Sequence, residues 1–158
     1  MADSTTTQHI LELPLLAPML AQAGLIFAVG FWLVWARVGS VLRGKIDMRD
    51  ALKHGYKGWI KQAGDNFSNQ FEVPMLFFVL CITESLLDIS SRTFVSSSGI
   101  AWAFVISRYI HALIHLTFNH IPTRFLAFFA GVICLLIMFI NLISTHSNIH
   151  QYDVFRAF

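Results

Sequence analysis

Long apolar runs separated by short polar connections dominate the pattern of this chain. The runs lie at about 13–36, 66–87, 100–118 and 125–143. Each reaches or approaches the roughly 20 residues a helix needs to cross about 30 Å of hydrocarbon. In lipid every backbone polar group must be satisfied internally, and unbroken apolar runs of this length exclude barrel strands, so the spans read as helices. The pattern predicts an all-α, antiparallel four-helix transmembrane bundle, in a single domain over 1–158. Pro14 and Pro18 open the first run, where the missing proline N–H costs nothing. Nothing basic precedes Arg37 and no small-residue cleavage pattern follows, so the first run reads as a retained helix. The stretch at 90–98 reads as a loop, and 119–123 with Pro122 as a tight connection between antiparallel neighbours.

Composition agrees with this class. Of the 158 residues, 56% are hydrophobic and 13% charged, whereas soluble domains carry about 25% charged residues. Cys81 and Cys134 both fall inside spans and read as small core hydrophobes.

Charge is distributed unevenly. Arg37, Arg43, Lys45, Arg49, Lys53, Lys57 and Lys61, seven of the eleven basic residues, lie between the first two spans. By the positive-inside rule this connection is cytoplasmic, together with the one holding Arg124, and both termini are external. Lys45, Arg49, Lys53, Lys57 and Lys61 recur every four residues, with Ile46, Leu52, Tyr56, Trp59 and Ile60 interleaved. That row fits a surface helix holding anionic headgroups, or a solvated segment that only sets topology, and Gly55 and Gly58 weaken the helix. So small a patch beside a membrane gives no indication of nucleic-acid binding.

Ionisable residues inside the spans point to function, because charge at that depth is costly and faces a bundle interior or a wet cavity. Arg108, His111 and His115 are spaced i, i+3, i+7 and share one helical face. Asn69-Gln70-Phe71-Glu72-Val73-Pro74 places a carboxylate at the mouth of the second span. Glu72 and Arg108 would pair across helices, as a binding site or as a structural ion pair fixing register. His111 and His115 would suit a metal if Glu72 or His120 completed the set, or hydrogen bonds from neutral imidazoles. No dense histidine cluster accompanies them, and no metal is assigned.

Taken together, Asn69-x-x-Glu72 leading to Pro74, then Arg108-x-x-His111-x-x-x-His115, then Arg124 opening the last span, resemble the MAPEG family. These are small four-helix membrane proteins of eicosanoid and glutathione metabolism. The resemblance covers essentially the whole chain and is closest to the bacterial branch, which implies a bacterial inner membrane. It implies a homotrimer that holds glutathione between subunits near the cytoplasmic side. It also implies that Asn69, Glu72 and Arg108 hold the tripeptide with His111 and His115 beside them, and that Arg124 or Arg108 stabilises the thiolate. The expected activity is glutathione-dependent transfer to, or peroxide reduction of, a lipophilic electrophile. The chain departs from the catalytic members at three places, one being that Pro74 follows Glu72 more closely than in them. Asp65 stands where they carry an Arg four residues before the Asn, and His111 and His115 stand where they carry Tyr on the third helix. Asp cannot replace a guanidinium that pairs a carboxylate. The alternative is therefore a non-catalytic relative that binds a lipid or a membrane protein partner through the same intersubunit crevice.

The charge asymmetry generates a topology prediction. A reporter fused after Phe158 should be external, and one inserted near Lys53 cytoplasmic. The reverse pair of signals would invert the orientation and remove the cytoplasmic mouth.

Overall fold

The computed structural model describes residues 14–87 and 96–156, with side chains described as far as residue 145. Most of the loop read at 90–98 lies outside these residues. Six helices follow in order: α1 (Leu16–Leu42), α2 (Met48–His54), α3 (Gly58–Asn69), α4 (Val73–Leu86), α5 (Ser97–Leu116) and α6 (Ile121–Arg156). There is no strand among the described residues. Three segments are long and apolar enough to cross a membrane: Leu16–Leu42, Ser97–Leu116 and Ile121–Thr145. They make this an integral membrane protein.

The run at 66–87 is not one helix, which corrects the sequence reading. α3 ends at Asn69 and α4 starts at Val73, and α4 has only 14 residues, about 21 Å of rise. Pro74, in the first turn of α4, explains the break. Within a continuous helix it could not donate to the carbonyl of Gln70, and its ring would clash there. The last turn of α3 tightens instead, with Gln70 N–H donating to Phe67 O (3.0 Å) and Phe71 N–H to Ser68 O (2.9 Å). Glu72 sits at the corner with φ −93° and ψ −97°.

The basic connection also differs from a single helical row. Gly55 (φ +76°) and Gly58 (φ +59°) adopt left-handed backbone that a side chain would strain. They end α2 and start α3 in a new direction, so Lys45 to Lys61 do not share one helix. The connection between α5 and α6 is shorter than the 119–123 expected. It occupies 117–120, turns on Asn119 at φ +46°, and lets Pro122 enter the first turn of α6.

Packing follows the helical period. α1 buries Pro18, Gln22, Leu25, Val29, Leu33, Ala36 and Ser40, a stripe repeating every three or four residues. The lower part of that stripe packs on α3, with Leu33, Ala36 and Ala63 in one cluster. The largest apolar cluster joins α4, α5 and α6 through Phe77, Cys81, Phe104, Leu135 and Met138. Phe77 and Phe104 stack with centroids 4.5 Å apart. Cys81 is buried and Cys134 half-buried, both free thiols. Most of α6 is exposed on its outer face, including Phe129, Leu136, Phe139 and Ile140. On a helix this apolar, that face is suited to lipid or to another subunit.

α5 and α6 approach closely where Gly131 meets Ser107. A Cβ built on Gly131 would lie 2.7 Å from Ser107 Oγ, which is itself bonded to Phe104 O at 2.6 Å. Small residues permit such approaches between membrane helices. Gly131→Leu should therefore cost about 1–3 kcal/mol by overpacking. Gly131→Ala should cost less, and Ser107→Ala should recover part of that loss. Thermal unfolding in mild detergent measures all three. An unchanged melting temperature in Gly131→Leu would mean the helices do not meet there.

Candidate functional site

The break in the α3–α4 path leaves carbonyls at the end of α3 without their usual helical partners: Phe67 O and Ser68 O take tightened-turn bonds, and Asn69 O is left over at a part-buried position. These groups must be satisfied by something other than water. Arg108 on α5 supplies one donor, Nη2 to Asn69 O at 3.2 Å. A cation at a helix C-terminus also meets the negative end of its dipole. Arg108 is the largest fully buried side chain, and its guanidinium carbon lies 5.7 Å from the centre of the Phe128 ring. Its Nε and Nη1 are buried without hydrogen-bond partners.

A ladder of amides fixes α3 against its neighbours. Gln22 Nε2 donates to Gln70 Oε1 (3.3 Å), Gln70 Nε2 to Asn66 Oδ1 (3.3 Å), and Asn66 Nδ2 to Ala112 O (3.3 Å). Gln62 Nε2 donates to His115 O. Gln22, Asn66 and Gln70 are all buried. Sequence reasoning passed over these residues, and over Glu84, which is fully buried three turns beyond the break. Gln22 and Glu84 stood as polar interruptions in apolar runs. That is the signal by which they were findable.

Arg124 is set in place by the α5–α6 turn. Its Nη1 donates to Asn119 Oδ1 at 2.7 Å, and its carbonyl is 3.1 Å from His111 Nδ1. Asn69, His111 and Arg124, together with Ile121, Phe125 and Phe128, line an open cavity of about 190 Å³. Arg108 stands behind its wall, touching Asn69 and Phe128. Four of the sequence-predicted residues thus converge from α3, α5 and α6.

Two predicted residues lie differently. Glu72 is exposed at the corner between α3 and α4 and does not line the cavity. It makes no ion pair with Arg108. Among the described residues the ion pairs are His54–Asp50 (2.8 Å) and Lys61–Asp65 (2.6 Å). Arg108 is turned instead to the orphaned carbonyl of Asn69. His115 is buried one turn from His111 with its ring centroid 5.8 Å away, but it is not in the cavity lining. No third potential metal ligand joins the two histidines among the described residues. His111 Nε2 and His115 Nδ1 are buried without partners. His111, whose Nδ1 donates to Arg124 O, leaves Nε2 as an acceptor, so the donors that suit an anionic ligand are the unanswered Nε and Nη1 of Arg108 and the guanidinium of Arg124.

Comparison with known proteins gives one match. The model of the MAPEG family covers residues 15–144. No curated protein and no solved structure matches the chain.

The amide ladder generates a test of the break. Gln70→Leu would leave Gln22 and Asn66 short of partners, at a cost of about 0.5–2 kcal/mol. Gln22→Leu should cost less, and the double variant less than the sum of the two. Additive losses in a thermal or denaturant melt would mean that the two amides are not coupled.

Proposed function

The chain belongs to the MAPEG family, and on that premise we propose that it binds glutathione at the cavity of Asn69, His111 and Arg124 and uses it on a lipophilic electrophile. The carrying observation is the donor excess there. Arg108 Nε and Nη1 are buried just behind the wall with no acceptor in the chain, and Arg124 lines the cavity. A carboxylate-bearing tripeptide would supply the missing acceptors.

In this reading α3 and α4 together make the second of four crossings, and three copies assemble. Two observations support assembly. The cavity of about 190 Å³ in one chain falls below the roughly 300 Å³ at which small-molecule sites begin. Glu72, exposed and without an ion-pair partner at the neighbouring corner, would complete the site from its rim. A closed ring of copies would cover both.

Bound glutathione supplies a thiol whose ionised form is the attacking species. The protein's part is electrostatic and positional. Arg124 brings a guanidinium to the cavity wall, anchored by Asn119, and favours negative charge beside it. Arg108 adds a second positive charge from behind Asn69 and Phe128. Asn69 and His111 orient the ligand's polar groups. The apolar flanks of α4 and α6 admit an electrophile from the bilayer side. One layer further back, the backbone carbonyl of His115 accepts from Gln62 and holds α3.

One observation favours the non-catalytic alternative, a lipid- or partner-binding relative. Asp65 is exposed and paired to Lys61 at 2.6 Å, so that position brings no cation to the site.

Native mass spectrometry in mild detergent should find three copies, and millimolar glutathione should raise the melting temperature. Thiolate absorbance of the complex should appear near neutral pH. Arg124→Leu should reduce it roughly tenfold or more while leaving the trimer intact. A trimer with no glutathione shift and no thiolate signal would transfer support to the non-catalytic reading. A stable monomer would refute the shared site.

A further inference from the structure

The connection between α1 and α3 carries features that the glutathione reading does not use. Over residues 43–57 five basic residues stand against two acidic ones. Both acids are already engaged: Asp47 caps α2 by accepting Arg49 N–H at 2.8 Å, and Asp50 lies 2.8 Å from His54. Lys45, Arg49, Lys53 and Lys57 have no acid partner among the described residues. The glycine break at Gly55 and Gly58 brings Lys57 back toward Lys45. The two lysines line one open cavity of about 340 Å³, with Tyr56 and Trp59 on its wall.

The surroundings fix the depth of this cavity in a membrane. Trp32, Trp35 and Trp59 form a continuous aromatic cluster, with centroids 5.1 Å and 6.3 Å apart. Arg43 lies over Trp35 and Arg37 over Tyr56, at 5.6 Å and 4.6 Å. Tryptophans with flanking arginines mark the headgroup level of a bilayer. Leu42 and Leu52 are 80% and 77% exposed beside these cations, an arrangement stable where apolar residues meet acyl chains and cations meet headgroups.

We propose that residues 43–57 form a binding site for an anionic phospholipid of the leaflet facing this connection, with the headgroup phosphate held between Lys45 and Lys57. The argument is charge complementarity at a defined depth: uncompensated cations around a cavity, next to an aromatic belt and exposed apolar side chains. Such clusters attract anionic lipid. The Asp47 and Asp50 carboxylates on the same wall set a limit, since they repel an anion that enters too deeply. This site is separate from the Arg124 cavity and stands whether or not glutathione binds.

The test is retention of lipid by the intact protein in mixed micelles of phosphatidylglycerol and phosphatidylcholine, read by native mass spectrometry. Phosphatidylglycerol should be retained several-fold over phosphatidylcholine. The double variant Lys45→Gln, Lys57→Gln should lower its retention roughly tenfold, and Lys61→Gln, whose lysine already pairs with Asp65, should not. The charge-keeping variant Lys45→Arg, Lys57→Arg should keep the lipid, which separates loss of charge from loss of fold. Equal retention of the two lipids, or undiminished retention in the double Gln variant, would overturn the proposal. Displacement of the lipid by millimolar inorganic phosphate would reassign the site to free phosphate.

Discussion

Backbone groups that water cannot reach need partners inside the protein, and the break between α3 and α4 concentrates that demand in one place. Pro74 forbids a continuous helix, so Asn69 O at the end of α3 is left without a helical donor at a part-buried position. Arg108 answers for Asn69, the N–H groups of Gln70 and Phe71 answer for Phe67 and Ser68, and the Gln70 amide reaches Asn66 O at 3.5 Å. The same solution builds the site. An arginine buried to cap a broken helix keeps spare donors, because one carbonyl uses only part of a five-donor guanidinium. The structural requirement and the anion-binding potential therefore reside in one side chain.

α5 carries both properties along its length. Its buried face runs from Ile100 through Phe104 to Arg108, His111 and His115, so apolar packing gives way to polar contacts on one continuous stripe. At the apolar end, Phe104 stacks on Phe77 and the Ser107–Gly131 contact draws α6 close. At the polar end, the turn at Asn119 places Arg124 opposite His111. The spacing of α5 and α6 thus decides how near the two arginines come to the same cavity.

The outer surface obeys a different rule. Exposed Phe, Leu and Ile on α4 and α6 would cost heavily in water but not against lipid or another copy. Near the α1–α3 connection the surface changes to tryptophans and uncompensated lysines. The molecule therefore has an apolar belt and a cationic rim, and the Arg124 cavity and the Lys45–Lys57 cavity open at different places on that frame.

The sequence by itself determined the class, the family and the buried face of α5. Hydrophobic run length reports directly on membrane helices, and the three-and-four spacing of Arg108, His111 and His115 put them on one side whatever they touch. It also located Arg124 and Asn69 at helix ends beside that face. It did not reveal that Glu72 and Arg108 make no contact ion pair within the chain, because opposite charges in neighbouring spans look complementary until Glu72 is found exposed at a corner. Nor did it reveal the amide ladder, since a glutamine in an apolar run has no preferred partner until helices are placed side by side. The basic row fitted a helix by its period, with Gly55 and Gly58 already weakening it, and their positive φ is what redirects the chain. Local pattern fixes which face of a helix is buried. Only the tertiary structure decides which orphaned carbonyl a buried cation reaches, because that depends on where another helix breaks.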